Sequence, residues 1–192
     1  MSNEQPTRRE AIADAAIEVL AEHGSRGLTH RAVDAKAGIA AGSTSYYFRT
    51  RLALLAAAQD RVAQRQLALM TSFTEAAPKT ALELAQLITG NMHAIRADPT
   101  LTIAMMELTL EAVRRPELRQ GVAAARERFV DWQGRMMRAI GGAEPSPDLN
   151  QLLASLGTGM VVELLSLGDA APAAFFDAEV QARNFHRLLG NY

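Results

Sequence analysis

Residues 41–47 read Ala-Gly-Ser-Thr-Ser-Tyr-Tyr, in which short hydroxyl side chains are followed by two aromatic ones. Hydroxyl groups of this size can bond to base edges or phosphate oxygens in a DNA groove, and aromatic rings can contact thymine methyl groups. Gly42 would let the backbone come close to such a partner. These residue types therefore indicate a surface suited to a nucleic acid.

Thr29 and Thr50 stand where helices are expected to begin, and Arg51 follows the second of them. Free backbone N–H groups and the helix dipole make such positions favourable for phosphate oxygens. The alternative is that both threonines only cap their helices, which is the commoner role of threonine there. The two roles are compatible.

The sequence has no recognisable catalytic constellation. None of its four histidines lies three or four residues from another, and there is no cysteine, so neither a helical histidine pair for a metal nor a thiolate site is available. His93 and Glu107 could form an acid–base pair only if folding brought them together. We therefore expect no enzyme, no metal site and no cofactor.

Large apolar side chains in the C-terminal half favour binding of a mostly apolar small molecule, which His93 could orient as a polar group. The residues expected to contact it are His93, Met105, Phe129, Trp132 and Met136. The same helical spacing is typical of an ordinary core. It also leaves open another class of protein, an all-helical small-molecule carrier or enzyme that does not bind DNA.

The 192 residues are 48% hydrophobic, enough for one large domain or two small ones with real cores. The longest run without a charged residue, 149–162, is shorter than the roughly 20 apolar residues of a membrane span. The opening MSNEQPTRRE has no apolar signal segment. We expect a cytoplasmic protein with no membrane contact.

Charge is unevenly distributed along the chain. The net charge is -1, yet residues 23–51 hold five basic residues against a single acid, Asp34. An acid near phosphates would repel them unless it paired with Lys36 or Arg31. The local excess of positive charge is compatible with a nucleic acid but does not by itself establish one.

Apolar residues recur at helical spacing along almost the whole chain, and strand-like alternation is nowhere sustained. Thr7 with Glu10 and Thr80 with Glu83 have the spacing of capping boxes, and Gly141–Gly142 is expected to end a long amphipathic helix. The sequence predicts an all-α protein of about nine helices.

Two short helices are predicted between Thr29 and Phe48, and they meet at a sharp turn at Gly38–Ile39. The small residue Ala37 would allow the two helices to touch, and Gly38 can take the positive φ of the turn. Thr50 then begins a longer helix that would join the N-terminal and C-terminal modules.

The first third of the chain resembles the DNA-binding module of the TetR/AcrR family of bacterial transcriptional regulators. The matching features are Thr29 at the start of a short helix, Ala37-Gly38-Ile39 at the turn, Gly42, the pair Tyr47-Phe48, and Arg51 followed by leucines. Departures from the family pattern are Ala40 in place of a capping serine, Thr44 in place of leucine and Ser45 in place of tyrosine.

The resemblance implies a helix-turn-helix DNA-binding domain over residues 1–49 and a ligand-binding and dimerisation domain over residues 50–192. It also implies a homodimeric repressor that a small molecule releases from double-stranded operator DNA. The residues assigned to DNA are Thr29, Arg31, Ala41, Gly42, Ser43, Thr44, Ser45, Tyr46, Tyr47, Thr50 and Arg51.

The last two predicted helices are the candidates for the dimer interface. Their side chains expected to form a self-complementary patch are Leu152, Leu156, Met160, Phe176 and Val180. The alternative is that these positions pack inward on their own subunit, and spacing alone does not separate the two faces.

Overall fold

The computed structural model describes residues 7–76, 78–140 and 146–189. Within these ranges the chain forms nine α-helices and three short 3₁₀ turns and no strand, which confirms the predicted all-α class. The helices are α1 (Arg8–Gly27), α2 (His30–Lys36), α3 (Ser43–Tyr47), α4 (Arg51–Ala76), α5 (Ala81–Ala97), α6 (Thr100–Arg114), α7 (Arg119–Ala139), α8 (Pro147–Leu167) and α9 (Ala178–Leu189). The 3₁₀ turns are Pro116–Leu118, Gly168–Ala170 and Ala173–Phe176.

Helix starts follow the capping signals in the sequence. The Glu10 amide donates to Thr7 Oγ1 at 3.3 Å and the Thr7 amide donates to Glu10 Oε2 at 2.8 Å, so the first predicted capping box is present. Thr80 accepts from the Glu83 amide at 3.1 Å, but the Glu83 carboxylate accepts from the Lys79 amide at 2.6 Å. The predicted stop at Gly141–Gly142 lies outside the described residues.

The described residues divide into two compact units. The first contains those up to Leu67 together with Thr100–Ala125, and the second contains Ala68–Pro99 and those from Arg126 onward. This division by packing differs from the functional boundary predicted between residues 49 and 50, because part of α4 and all of α6 pack with α1, α2 and α3. The functional boundary remains a prediction.

The core of the first unit is built on one face of α1, where Ile12, Ile17 and Leu20 are fully buried. The side chains packed against them from α4, α6 and the loop before α2 include Leu28, Leu54, Leu55, Ala104 and Leu108. Val33 of α2 and Phe48 after α3 join the same core, and burying each such side chain is worth roughly 1.5–3 kcal/mol. The two short helices are therefore anchored to a large apolar face.

The core of the second unit is smaller and consists of Leu84, Met136, Met137 and Leu153. A polar contact fixes α7 against α8 beside it. Asn150 donates to the Val130 carbonyl oxygen at 2.9 Å and its Oδ1 accepts from Gln133 Nε2 at 2.7 Å.

Residues Pro147–Ala170, which include α8, are long and apolar enough to cross a membrane, with a mean hydropathy of 1.4 in the best window. Asp148 and Glu163 interrupt this segment, so its longest run without a charged residue is only 149–162. Length and composition alone are weak evidence of a span, since the core helix of a soluble protein passes the same test.

Candidate nucleic-acid interface

α3 is a helix of five residues that follows α2 after a tight turn. The turn contains two glycines with positive φ, Gly38 at 62° and Gly42 at 89°. An L-residue at either position would be strained. So short a helix makes too few internal hydrogen bonds to be stable alone, and it needs contacts from outside.

Asp34 of α2 holds the start of α3. Its carboxylate accepts from the Gly42 amide at 2.7 Å and from the Thr44 amide at 2.8 Å, and the residue is 4% exposed. Burial raises the pKa of this carboxyl, but the hydrogen bonds from Thr44 and Gly42 outweigh burial and hold the pKa below its ordinary 3.8. The carboxylate thus points inward and satisfies backbone donors instead of pairing with Lys36 or Arg31.

His30 of α2 holds the other end of α3. Its Nε2 lies 2.6 Å from the carbonyl oxygen of Phe48, the residue that ends the helix. A carbonyl only accepts hydrogen bonds, so Nε2 carries the proton in this contact. Two α2 side chains one turn apart thus bond to both ends of α3.

The outer side of α3 presents the side chains expected to meet DNA. Tyr46 is 76% exposed and Ser45 is exposed, while Ser43 and Tyr47 are half-buried. The two tyrosine rings pack edge to face, with centroids 5.2 Å apart. Thr44 is fully buried, so the prediction that its side chain contacts DNA is wrong in this structure: it occupies the inner side of the helix.

A surface groove of about 500 Å³ lies along α3. Its lining consists of Arg8 from α1, Gly38, Ile39 and Ala40 from the turn, and Ser43, Tyr46 and Tyr47 from α3. Ala41 and Gly42 at the start of α3 are exposed. Three of the eleven residues predicted to contact DNA, namely Ser43, Tyr46 and Tyr47, therefore line this groove.

Thr29 and Thr50 cap α2 and α4. Their hydroxyl oxygens accept from the amides of Ala32 and Ala53, each at 3.1 Å, and both residues are exposed. The capping role is thus present at both positions. Binding of phosphate by the same residues remains a prediction.

Arg51 is held inside the first unit. Its guanidinium donates to the carbonyl oxygens of Ser25 and Leu28, the latter at 3.3 Å, and lies 3.5 Å from the Glu111 carboxylate. These contacts make Arg51 an anchor between α4, the end of α1 with the residue that follows it, and α6, and they disfavour its predicted role as a phosphate contact.

Two glutamates of α6 complete this anchor. Glu111 is 7% exposed and accepts from Ser25 Oγ at 2.9 Å and Arg115 Nε at 2.8 Å, and Glu107 accepts from the Ser25 amide at 2.8 Å. Burial raises the pKa of Glu111, but the bonds from Arg115 and Ser25 and the charge of Arg51 outweigh it and hold the pKa below 4.5. Sequence reasoning considered Glu107 only as a possible partner of His93 and did not single out Glu111, because nothing local marks a partner as distant in the chain as Ser25.

The charges around α3 are partly neutralised. Lys36 is paired with Glu22 and lies 3.5 Å from Glu18, and the hydrogen bond to Glu22 raises the pKa of the Lys36 ammonium. Arg31 and Arg49 are exposed and, among the described residues, have no ion pair. The positive charge available to a phosphate is therefore carried by fewer residues than the sequence indicates.

Of the residues predicted to bind a small molecule, Phe129, Trp132 and Met136 lie together in the second unit, because Trp132 packs against both the Phe129 ring and the core cluster that contains Met136. Phe129 and Trp132 pack together with Phe73, with ring centroids 5.7 and 6.0 Å from Trp132, and Trp132 donates to the Met70 carbonyl oxygen at 3.1 Å. Met136 is 4% exposed in the core of the second unit. Met105 belongs to the first unit, where its sulfur accepts from Gln66 at 2.7 Å. His93 is exposed and packs against Phe176 at 4.8 Å.

The residues predicted to form a dimer interface differ in exposure. Leu152 is 56% and Leu156 49% exposed, while Met160 and Val180 are half-buried. Phe176 is half-buried. Its ring centre lies 4.8 Å from the centre of the His93 ring and 4.8 Å from the Arg96 guanidinium. Phe176 therefore packs on its own subunit, which was the alternative that the sequence left open.

Two short helices at a glycine turn, the second presenting hydroxyl and tyrosine side chains to solvent, define a protein of the helix-turn-helix class. Residues 12–58 match the family described as bacterial regulatory proteins, tetR family, and residues 79–190 match the tetracyclin repressor-like C-terminal domain. The chain belongs to the TetR family.

Individual relatives are similar over most of the chain. The transcriptional repressor KstR of Rhodococcus jostii is 32% identical over 77% of this chain, and the aligned region spans 66% of that protein's length. A TetR-family structure from Streptomyces coelicolor, SCO1917, is 29% identical with a TM-score of 0.72 and covers 96% of this chain and 99% of its own. The multidrug binding protein EbrR in complex with imidazole is 28% identical with a TM-score of 0.69 and covers 98% of both chains.

The bonds from Asp34 make Asp34→Ala a test of how α3 is held. Removing the carboxylate leaves two amides without partners, and we expect a loss of about 1.5–3 kcal/mol in the free energy of unfolding together with weaker DNA binding. Because its folded pKa is lowered, the contribution is complete above pH 3.8 and is lost as the pH falls through the folded value. Urea unfolding and DNA titration measure both effects, with Asp60→Ala, at an exposed acid, as control. Equal behaviour of the two variants would contradict the role of Asp34.

Arg51→Ala separates anchoring from phosphate contact. We expect a loss of about 1–2 kcal/mol in the free energy of unfolding, allowing for partial exposure, with the slope of log K against log salt unchanged. Arg49→Ala is the matched control, because Arg49 is an exposed arginine. It should leave the free energy of unfolding unchanged and make the negative salt slope less steep by about 0.9 per subunit. The anchor is disproved if Arg51→Ala makes the slope less steep as Arg49→Ala does and leaves stability unchanged.

Proposed function

We propose that this chain is a homodimeric, cytoplasmic repressor that binds operator DNA through α2 and α3 and leaves it when a small molecule binds. The observation that carries the proposal is the way α3 is held at both ends while Ser45 and Tyr46 face solvent. A rigid helix with a polar exposed side suits direct contact with base edges in a major groove. The similarity to the repressor KstR supports the same function.

In this proposal residues 1–49 form the DNA-binding domain and residues 50–192 bind the ligand and the second subunit. Ser43, Ser45 and Tyr46 contact bases, and Thr29, Arg31, Thr50 and Tyr47 contact the backbone, with Ala41 and Gly42 allowing close approach. We assign no enzymatic activity to the chain. Relatives that regulate transcription support this assignment over a carrier or enzyme that does not bind DNA.

The second unit is the proposed ligand-binding part. The EbrR structures include complexes with malachite green, proflavin and ethidium. By analogy we propose an aromatic or largely apolar effector for this chain. Phe129 and Trp132, half-buried beside Phe73, are the most suitable contacts, since Met136 is enclosed in the core and His93 is engaged with Phe176.

Two copies are needed because one helix of five residues reads too few bases, and paired half-sites lie about one DNA turn, roughly 34 Å, apart. α8 is the proposed contact. Its exposed leucines Leu152 and Leu156 lie one helical turn apart, and a side chain at Gly157 or Gly159 would meet no atom of its own subunit within 4 Å. An apolar face of this kind is expected to be covered by a second copy.

The DNA-binding function predicts selection of a distinct sequence from a pool of random duplexes. The selected duplex should bind at least 1,000-fold more tightly than a random one, on the order of 10³–10⁷. Adding malachite green should weaken binding roughly 5- to 150-fold, and the selected duplex must weaken dye binding by the same factor. Fluorescence of Trp132 and anisotropy of a labelled duplex report the two titrations. Failure to enrich any sequence would refute the DNA-binding function.

The proposed dimer interface on α8 predicts that Leu156→Glu lowers the molecular mass in solution from that of a dimer to that of a monomer. A charge in an apolar interface costs several kcal/mol, so the variant should be monomeric at micromolar concentration while its helical circular dichroism is retained. Leu82→Glu on α5 is the matched control, because Leu82 is 43% exposed in the same unit. Sedimentation equilibrium measures both. A folded, dimeric Leu156→Glu protein would rule out this face.

A further inference from the structure

Arg8 is the only charged residue in the described lining of the groove along α3. It is the first residue of α1 and lies outside the helix-turn-helix formed by α2 and α3. The other lining residues come from α3 and from the turn before it. A cation in this place lies beside the side chains that are exposed for base contact.

Neighbouring contacts fix the position of Arg8. The capping box of Thr7 and Glu10 starts α1 at Arg8, and the Arg9 guanidinium lies 4.7 Å from the centre of the Phe48 ring. Phe48 ends α3 and is buried in the core of the first unit together with Ile12 of α1. The first turn of α1 is thus attached to the end of α3, and Arg8 is carried with it.

The charge of Arg8 is available to a partner. Arg8 is exposed, and no carboxylate forms an ion pair with it among the described residues. By contrast, the carboxylates of Asp14 and Glu10 neutralise Arg61. The Glu10 carboxylate also accepts from the Thr7 amide and hydroxyl, so its two oxygens contact Thr7 and Arg61.

The helix dipole makes this placement costly for the free protein. The first turn of a helix carries a partial positive charge, and a cation there is unfavourable by a few tenths of a kcal/mol to about 1 kcal/mol. No hydrogen bond or ion pair from another described residue compensates the charge of the Arg8 head group. A negatively charged ligand would be attracted by both the helix dipole and the Arg8 charge, and would offset the repulsion between them.

We infer that Arg8 binds a DNA phosphate beside the groove read by α3. The inference rests on the proposed function and extends the DNA interface to α1. A guanidinium stays charged at all relevant pH values and can donate two parallel hydrogen bonds to a phosphate. Arg8 positions the protein on the backbone and reads no base, so it contributes equally to selected and random duplexes.

Arg8→Ala tests the inference through salt dependence. The slope of log K against log salt is negative, and loss of one phosphate contact should make it less steep by about 0.9 per subunit. The change should be the same for a selected and a random duplex. The affinity deficit should therefore shrink about threefold per subunit between about 50 and about 200 mM salt. The midpoint of thermal unfolding should stay unchanged or rise, because an unfavourable charge leaves the helix start.

Arg26→Ala is the matched control, since Arg26 is an exposed arginine at the other end of α1 and outside the groove. It should leave the salt slope unchanged, and Arg8→Lys should retain the wild-type slope. The inference is overturned if Arg8→Ala keeps the wild-type slope, or if both alanine variants make it equally less steep through net charge. Wild-type protein that binds no duplex would refute the proposed function itself, which is a different result.

Discussion

The interaction on which the interface depends is the pair of bonds that α2 makes to the two ends of α3. A helix of five residues has almost no stability of its own, because forming its first turn costs more conformational entropy than its few hydrogen bonds return. Asp34 bonds to its first amides and His30 to its last carbonyl. Val33, between them, is buried in the core that α1, α4 and α6 build. The exposed side chains of Ser45 and Tyr46 therefore have defined positions before any partner binds.

The same unit contains a second group of polar contacts, made by Glu107 and Glu111, and it holds different elements together from those that Asp34 and His30 hold. Asp34 and His30 hold α3 relative to α2. Glu107 and Glu111 hold the last turn of α1 against α6 through Ser25, and Glu111 also holds Arg51 at the start of α4. Buried carboxylates of this kind are costly unless all their oxygens are satisfied, and here backbone amides, Ser25 and arginines satisfy them. A shift of α6 would break bonds at Ser25 and Arg51 together, and these residues lie before α2 and after α3.

The sequence predicts local features such as caps and turns, but it does not predict which way individual side chains point. The all-α class, the caps at Thr7, Thr29 and Thr50 and the turn at Gly38 each depend on residues a few positions apart. The inward direction of Thr44 and the use of Asp34 as a cap depend on how α3 rolls against α2, which a run of small polar residues does not reveal. Helical spacing placed Trp132 and Met136 on one stripe of α7, yet only packing shows that Met136 is enclosed and that His93 faces Phe176.

The side chains that hold α3 and those that face outward are different sets. Thr44, the Gly42 amide and the Phe48 carbonyl make the inner contacts, and no side-chain hydrogen bond of Ser45 or Tyr46 to another described residue is found. Mutations at the outer positions thus escape the stability cost that purges most substitutions. After gene duplication, a copy of this chain can acquire a new operator by single steps, each intermediate remaining folded. Substitutions that change the DNA sequence recognised are therefore tolerated on the outer side of α3, whereas substitutions on its inner side destabilise the fold.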